Sequence, residues 1–133
     1  MNTTQSKKSD LTVIVRTKEL CSYILTVTEK SPKRFRFTLT SRLQNYALDA
    51  LEKLYLANEV FVQLPSSPEV NRRLQLQHEA MTYLKLLSYM AELAKDQGCI
   101  LYKQFEQITK QACDCQNLLG AWIKSDKRRF TGK

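Results

Sequence analysis

Leu43-Gln44-Asn45-Tyr46-Ala47-Leu48-Asp49-Ala50-Leu51-Glu52-Lys53-Leu54-Tyr55-Leu56-Ala57-Asn58-Glu59-Val60-Phe61-Val62-Gln63-Leu64 is the stretch that decides the fold. Its residues Leu43, Ala47, Ala50, Leu54, Ala57, Phe61 and Leu64 fall alternately four and three apart. On a helix that rhythm lays an apolar seam along one side, and a seam is stable only against a facing helix. The reading is a helix from about Leu43 to Leu64, with Thr38 or Thr40 able to cap its start.

The same rhythm recurs on both sides of this stretch. Leu101, Phe105, Ile108, Ala112, Cys115, Leu119 and Trp122 repeat it strictly, and Ala80, Leu84, Leu87, Ala91 and Ala94 keep it between Pro68 and about Lys95. A further periodic segment runs from about Leu11 to Glu29, with Ser9 or Asp10 as its cap. Its apolar residues Ile14, Leu20, Cys21, Ile24, Leu25 and Val27 cover a wide face. Ser31-Pro32 ends this helix, because the residue before proline is pushed out of helical backbone. Pro65-Ser66-Ser67-Pro68 breaks the second helix and starts the third, with Ser67 as cap and Pro68 in the first turn. Gly98 closes the third helix. Four helices with short connections give an all-α fold, an antiparallel up-and-down four-helix bundle. The expected organisation is a flexible segment at 1–9, the bundle at 10–126 and a basic tail at 127–133.

Composition agrees with that class. The 133 residues include only 3 Gly and 3 Pro, too few for a many-stranded β fold, and 43% are hydrophobic, enough for a core. No apolar run approaches the roughly 18 residues that span a bilayer, and the polar start Met1–Lys8 has no signal core. The expectation is a cytoplasmic protein with no membrane contact, its four cysteines free thiols.

Charge supplies the functional signal. The net charge is +8, and ten of the 21 Lys and Arg sit in two short segments. Lys30, Lys33, Arg34, Arg36 and Arg42 occupy the first connection without an acidic residue between Lys30 and Arg42. Lys124, Lys127, Arg128, Arg129 and Lys133 share the end of the chain with one acid, Asp126. Clustered cations on a compact scaffold suit a phosphate backbone, because each contact releases condensed counterions. Phe35 and Phe37 alternate with Arg34 and Arg36. Such interleaving either stacks unpaired bases or plugs the end of a bundle core.

Catalytic chemistry finds little to work with. His78 is the only histidine, so paired-histidine and histidine-rich metal sites are excluded. Cys113 and Cys115 stand two apart on a helix and project about 200° from each other, so they cannot close on one ion. Asp49 and Glu52 share a face but lack the Glu-x-x-His partners of a di-metal bundle. Gly98, Gly120 and Gly132 are scattered and build no phosphate loop. Gly120 inside a helix costs roughly 1 kcal/mol against alanine, which points to a close helix approach beside Trp122, within the bundle or between subunits. Trp122, Tyr102 and Phe105 are read as core. The chain is expected to be no enzyme and to need no cofactor or metal.

Arg36-Phe37-Thr38-Leu39-Thr40-Ser41-Arg42-Leu43-Gln44-Asn45-Tyr46-Ala47-Leu48-Asp49-Ala50-Leu51-Glu52 and Leu118-Leu119-Gly120-Ala121-Trp122-Ile123-Lys124-Ser125, on this four-helix layout, resemble the accessory variability determinant proteins of diversity-generating retroelements. That family is related to the four-helix bundle proteins encoded in intervening sequences of bacterial 23S ribosomal RNA genes. The resemblance covers about Asp10 to Arg129. It implies a basic bundle assembled as a homopentameric barrel, which binds nucleic acid and the element's reverse transcriptase in support of mutagenic cDNA synthesis and retrohoming. By position it implies contacts for Arg36 and Arg42, and core places for Phe37, Leu43 and Ala47.

The candidate nucleic-acid contacts are Lys33, Arg34, Arg36, Arg42, Arg72, Arg73, Lys127, Arg128 and Arg129, the last three on charge alone. The partners are RNA or DNA, the reverse transcriptase and further copies of the chain. The alternatives are a ribosomal-RNA intervening-sequence protein and a basic protein–protein scaffold.

Overall fold

The computed structural model describes residues 2–132, with side chains from residue 12 onward. Four helices carry the chain: α1 (Asn2–Val27), α2 (Ser41–Glu59), α3 (Pro68–Asp96) and α4 (Tyr102–Thr131). No strand occurs among the described residues. Each helix packs on its neighbour in sequence, and α1 also packs on α4, so the four surround one core. Among the described residues no helix is long and apolar enough to cross a membrane.

The seams supply the core. Leu43, Ala47, Ala50, Leu54 and Ala57 of α2, the five seam residues of α3, and Ile108, Ala112, Cys115, Leu119 and Trp122 of α4 are all buried. Val13, Leu20, Cys21 and Ile24 of α1 meet them. On the surface between α2 and α3, the rings of Tyr46 and Tyr83 stack at 6.0 Å and Lys53 Nζ lies 3.1 Å from Glu79 Oε1.

Several boundaries differ from the sequence reading. The helix of α1 is continuous from Asn2 rather than from Leu11, and a cap at Ser9 or Asp10 falls among side chains outside the described set. α2 stops at Glu59, so Phe61 and Leu64 leave the seam and are 75% and 69% exposed. Val60 turns extended there, its carbonyl accepts a hydrogen bond from Arg73 Nη1, and Pro65 keeps Leu64 out of helical backbone. Leu101 sits at the cap position of α4 with extended backbone, 68% exposed, and donates its N–H to Gln104 Oε1 at 2.8 Å. Tyr102, expected in the core, is exposed. α4 runs on through Thr131, across most of the segment read as a tail.

α3 ends as expected. Gly98 has φ +76, the Cys99 N–H reaches Ala94 O at 2.7 Å and the Gly98 N–H reaches Lys95 O at 3.0 Å. This pair of bonds is the Schellman closure, which needs left-handed backbone at its glycine. Gly120 has no such demand. A Cβ there meets only Met81 Cε, at 4.0 Å, so the expected close approach is absent within the bundle. The two glycines therefore respond oppositely to alanine. Gly98→Ala should lower stability by about 1–2 kcal/mol through backbone strain, and Gly120→Ala should raise it by up to about 1 kcal/mol. Urea unfolding of both variants measures the signs. A destabilised Gly120→Ala would place a tight contact at that position.

Candidate nucleic-acid interface

Between α1 and α2 the chain stays helical in type but changes pitch. A 3₁₀ turn at Thr28–Lys30 follows α1. Extended Ser31 and Pro32 come next, then a second 3₁₀ turn at Lys33–Phe35 and a π-helical turn at Arg36–Thr40 that runs into α2. Neither Thr38 nor Thr40 caps α2. Thr38 Oγ1 donates to Phe35 O at 3.4 Å, and Thr40 Oγ1 lies 3.4 Å from Cys99 Sγ. Ser31 Oγ donates to Cys99 O at 2.8 Å, and Gln44 Nε2 donates to Thr28 Oγ1 at 2.9 Å. These bonds tie the connection to the end of α1 and to the turn after α3.

Pitch decides which side chains face water. The wide π turn puts Leu39 half-buried and Thr40 buried against the core, with Phe35 packed there from the preceding turn. Phe37, a core candidate by resemblance, is left 86% exposed. Lys33, Arg34, Arg36 and Arg42 are exposed. Arg34 lies over the Phe35 ring at 4.6 Å, and Arg42 Nη1 donates to Tyr46 Oη at 3.4 Å. Among the described residues none of these four cations forms an ion pair with a carboxylate. A depression of about 420 Å³ opens beside them, lined by Lys30, Lys33 and Arg36 together with Glu29, Ser31 and Gln44. The first turn entering α2 has no acidic residue and no capping side chain. The positive potential of the cations therefore adds up in one place with no acidic residue between Lys30 and Arg42 to offset it.

The other five candidates lie elsewhere. Val60, just past the end of α2, is held by Arg73, so the 19 residues of α2 separate Arg42 from Arg73 by about 27 Å. Arg73 is not on the surface. It is 7% exposed, with Nε donating to Asp126 Oδ2 at 2.6 Å and Nη2 to Oδ1 at 3.3 Å. Its guanidinium also lies over Trp122 at 5.1 Å and over Phe130 at 5.7 Å. Asp126, fully buried, accepts further bonds from Gln77 Nε2 at 2.8 Å and Arg129 Nη2 at 3.2 Å. Arg73 thus serves the interior, and Arg129 is partly committed to the same carboxylate. Arg72, Lys127 and Arg128 remain exposed at this second end. The nine candidates form two separate groups, not one rim.

Sequence reading counted Asp126 only as a lone acid in a basic tail. The signal for its true place was the seam itself, because Asp126 continues the rhythm of Leu119 and Trp122, and Arg73 and Gln77 continue that of Ala80 and Leu84. Polar residues at seam positions on two facing helices mark a buried polar layer.

The remaining reactive side chains stay apart. His78 is exposed, and among the described residues no group of three or more His, Cys, Asp or Glu converges on a metal position. Cys113 is exposed, whereas Cys21, Cys99 and Cys115 are buried. Burial pushes the Cys21 thiol up to about 11, with neighbouring Cys115 adding to the shift, and burial also raises Cys115. The thiolate is the reactive form, so at neutral pH one thiol, Cys113, should react rapidly with a chromogenic disulfide reagent. The others should react only on unfolding. Fast release of more than one equivalent would contradict the burial.

No family model matches the chain, and no curated protein matches it.

Proposed function

We propose that this chain is a non-enzymatic nucleic-acid-binding protein that holds a polynucleotide through backbone phosphates at the end of the bundle carrying Lys33, Arg34, Arg36 and Arg42. One observation carries the proposal. Four exposed cations gather at one place without a carboxylate partner among the described residues. Such a cluster repels itself, a cost that a bound polyanion reverses.

In this reading the bundle is antiparallel and up-and-down, which the meeting of Arg73 near the start of α3 with Asp126 near the end of α4 supports. Copies of the chain assemble, in the pentamer that the resemblance implies. Outward apolar residues support assembly: Leu48 and Tyr55 on α2, and Tyr89 and Leu93 on α3. The role that fits best is that of accessory protein to the reverse transcriptase of a diversity-generating retroelement. It binds template RNA or cDNA with little base readout.

RNA affinity measured against salt concentration tests the proposal. Four phosphate contacts give a log–log slope of about −3 or steeper. A flat slope, or no binding, would assign the charge to another purpose.

A further inference from the structure

We infer that Phe37 is a stacking platform for an unpaired base, so that the ligand at this end is single-stranded nucleic acid rather than duplex. The inference rests on the nucleic-acid reading above and narrows it to one ligand class.

Phe37 is the most exposed of the large hydrophobic residues in the described chain, at 86%. A phenylalanine left in water by a disordered tail would mean little. This one is held in a π-helical turn whose neighbours Leu39 and Thr40 are fixed against the core. Single-turn π segments are enriched at functional positions, because the wider turn moves a side chain off its helical register. Among the described residues no other ring and no cation lies over the Phe37 ring. Phe35, two residues earlier, differs in both respects, being half-buried and covered by Arg34.

Charge around the ring selects the occupant. Lys33 and Arg34 lie in the turn just before the one that carries Phe37, and Arg36, its chain neighbour, lines the cationic depression. An apolar protein segment gains nothing from three cations that have no carboxylate partner among the described residues. A nucleotide uses both features at once, its phosphate against the cations and its base on the ring. In a duplex the bases are already stacked on one another, so the ring has no face to meet.

The test is the binding of a labelled single-stranded RNA of about 15 nucleotides, and of the same sequence as a duplex, to the parent and to Phe37→Ala, Phe37→Leu and Phe37→Trp. Phe37→Ala and Phe37→Leu should each lose about five- to hundredfold affinity for the single strand, with the duplex and the salt slope unchanged. Phe37→Trp should keep the affinity, with its added indole emission quenched on binding. Melting temperature should not move, since the ring packs on nothing.

A parent that binds single strand with the expected salt slope, but loses nothing in Phe37→Ala, overturns the stacking role and leaves the phosphate interface standing. A parent that binds neither form overturns both. A Phe37→Leu variant that keeps the parent affinity shows that only an apolar contact was needed. A Phe37→Ala variant that changes the mass in solution makes Phe37 a contact between copies. Either result rejects the inference.

Discussion

Asp126→Ala is expected to lower the stability of the fold by about 3–5 kcal/mol, which for a chain of this size moves the melting temperature by about 10–20 °C. The carboxylate is fully buried and accepts from Arg73, Gln77 and Arg129. Removing it takes the Asp126 carboxylate away from the Arg73 guanidinium buried beside Trp122, and leaves the Gln77 amide without that acceptor. The loss measures the cost of breaking the pair and not its net worth, since a desolvated ion pair often does little better than well-packed apolar side chains. The double variant Arg73→Met with Asp126→Leu should therefore recover more than half of the loss. Chemical denaturation of both variants, and of Arg73→Met alone, closes the cycle. A loss below about 1 kcal/mol in Asp126→Ala would mean that the layer is open to water.

The joint reversal Arg34→Glu with Arg36→Glu has the largest expected effect on binding. Charge-assisted contacts to phosphate contribute about 1.5–3 kcal/mol each, so losing two weakens RNA affinity by about 10²-fold or more. The salt slope should flatten by about 1.5, the share of two phosphates. Stability should hold within about 1 kcal/mol of the parent. Carboxylates at 34 and 36 stand in the turns that lead into α2, where a helix dipole contributes at most about 0.3–1 kcal/mol each. Loss of the Arg34–Phe35 contact gives back a similar amount. Binding that falls while stability holds separates an interface from a structural cluster. Parent-like affinity would remove this end of the bundle from the interface.

The fold was legible wherever a seam was long. Ala80 to Ala94 and Ile108 to Trp122 report their own burial, because a four-three rhythm permits one buried side and no other. The rhythm misled at its ends. Phe61 and Leu64 keep perfect register, yet the carbonyl of Val60 is claimed by Arg73 on another helix, a contact that local spacing does not encode. Phe37 was a core place by resemblance alone, and the π turn that carries it leaves the ring outside.

For the site, composition located the Lys33–Arg42 cluster and the structure exposes all four of its cations. Arg73 was a further candidate, as an extension of that basic surface. Charge alone does not tell an arginine that meets a ligand from one that meets a distant aspartate. Register does, and the seam position of Arg73 was the readable difference.

The polar layer also sets a time order for folding. Arg73 and its carboxylate are 53 residues apart in the chain. At about 5–20 residues per second, a ribosome releases the cation on the order of 3–10 s before the anion that neutralises it. During that interval α2 and α3 can pair, but this end of the core lacks the carboxylate on which Arg73 and Gln77 converge. A chain halted before Asp126 should therefore be cut faster by protease at this end of the bundle than one that includes it. Placing that carboxylate near the close of α4 makes the last helix a condition for closing this end of the core.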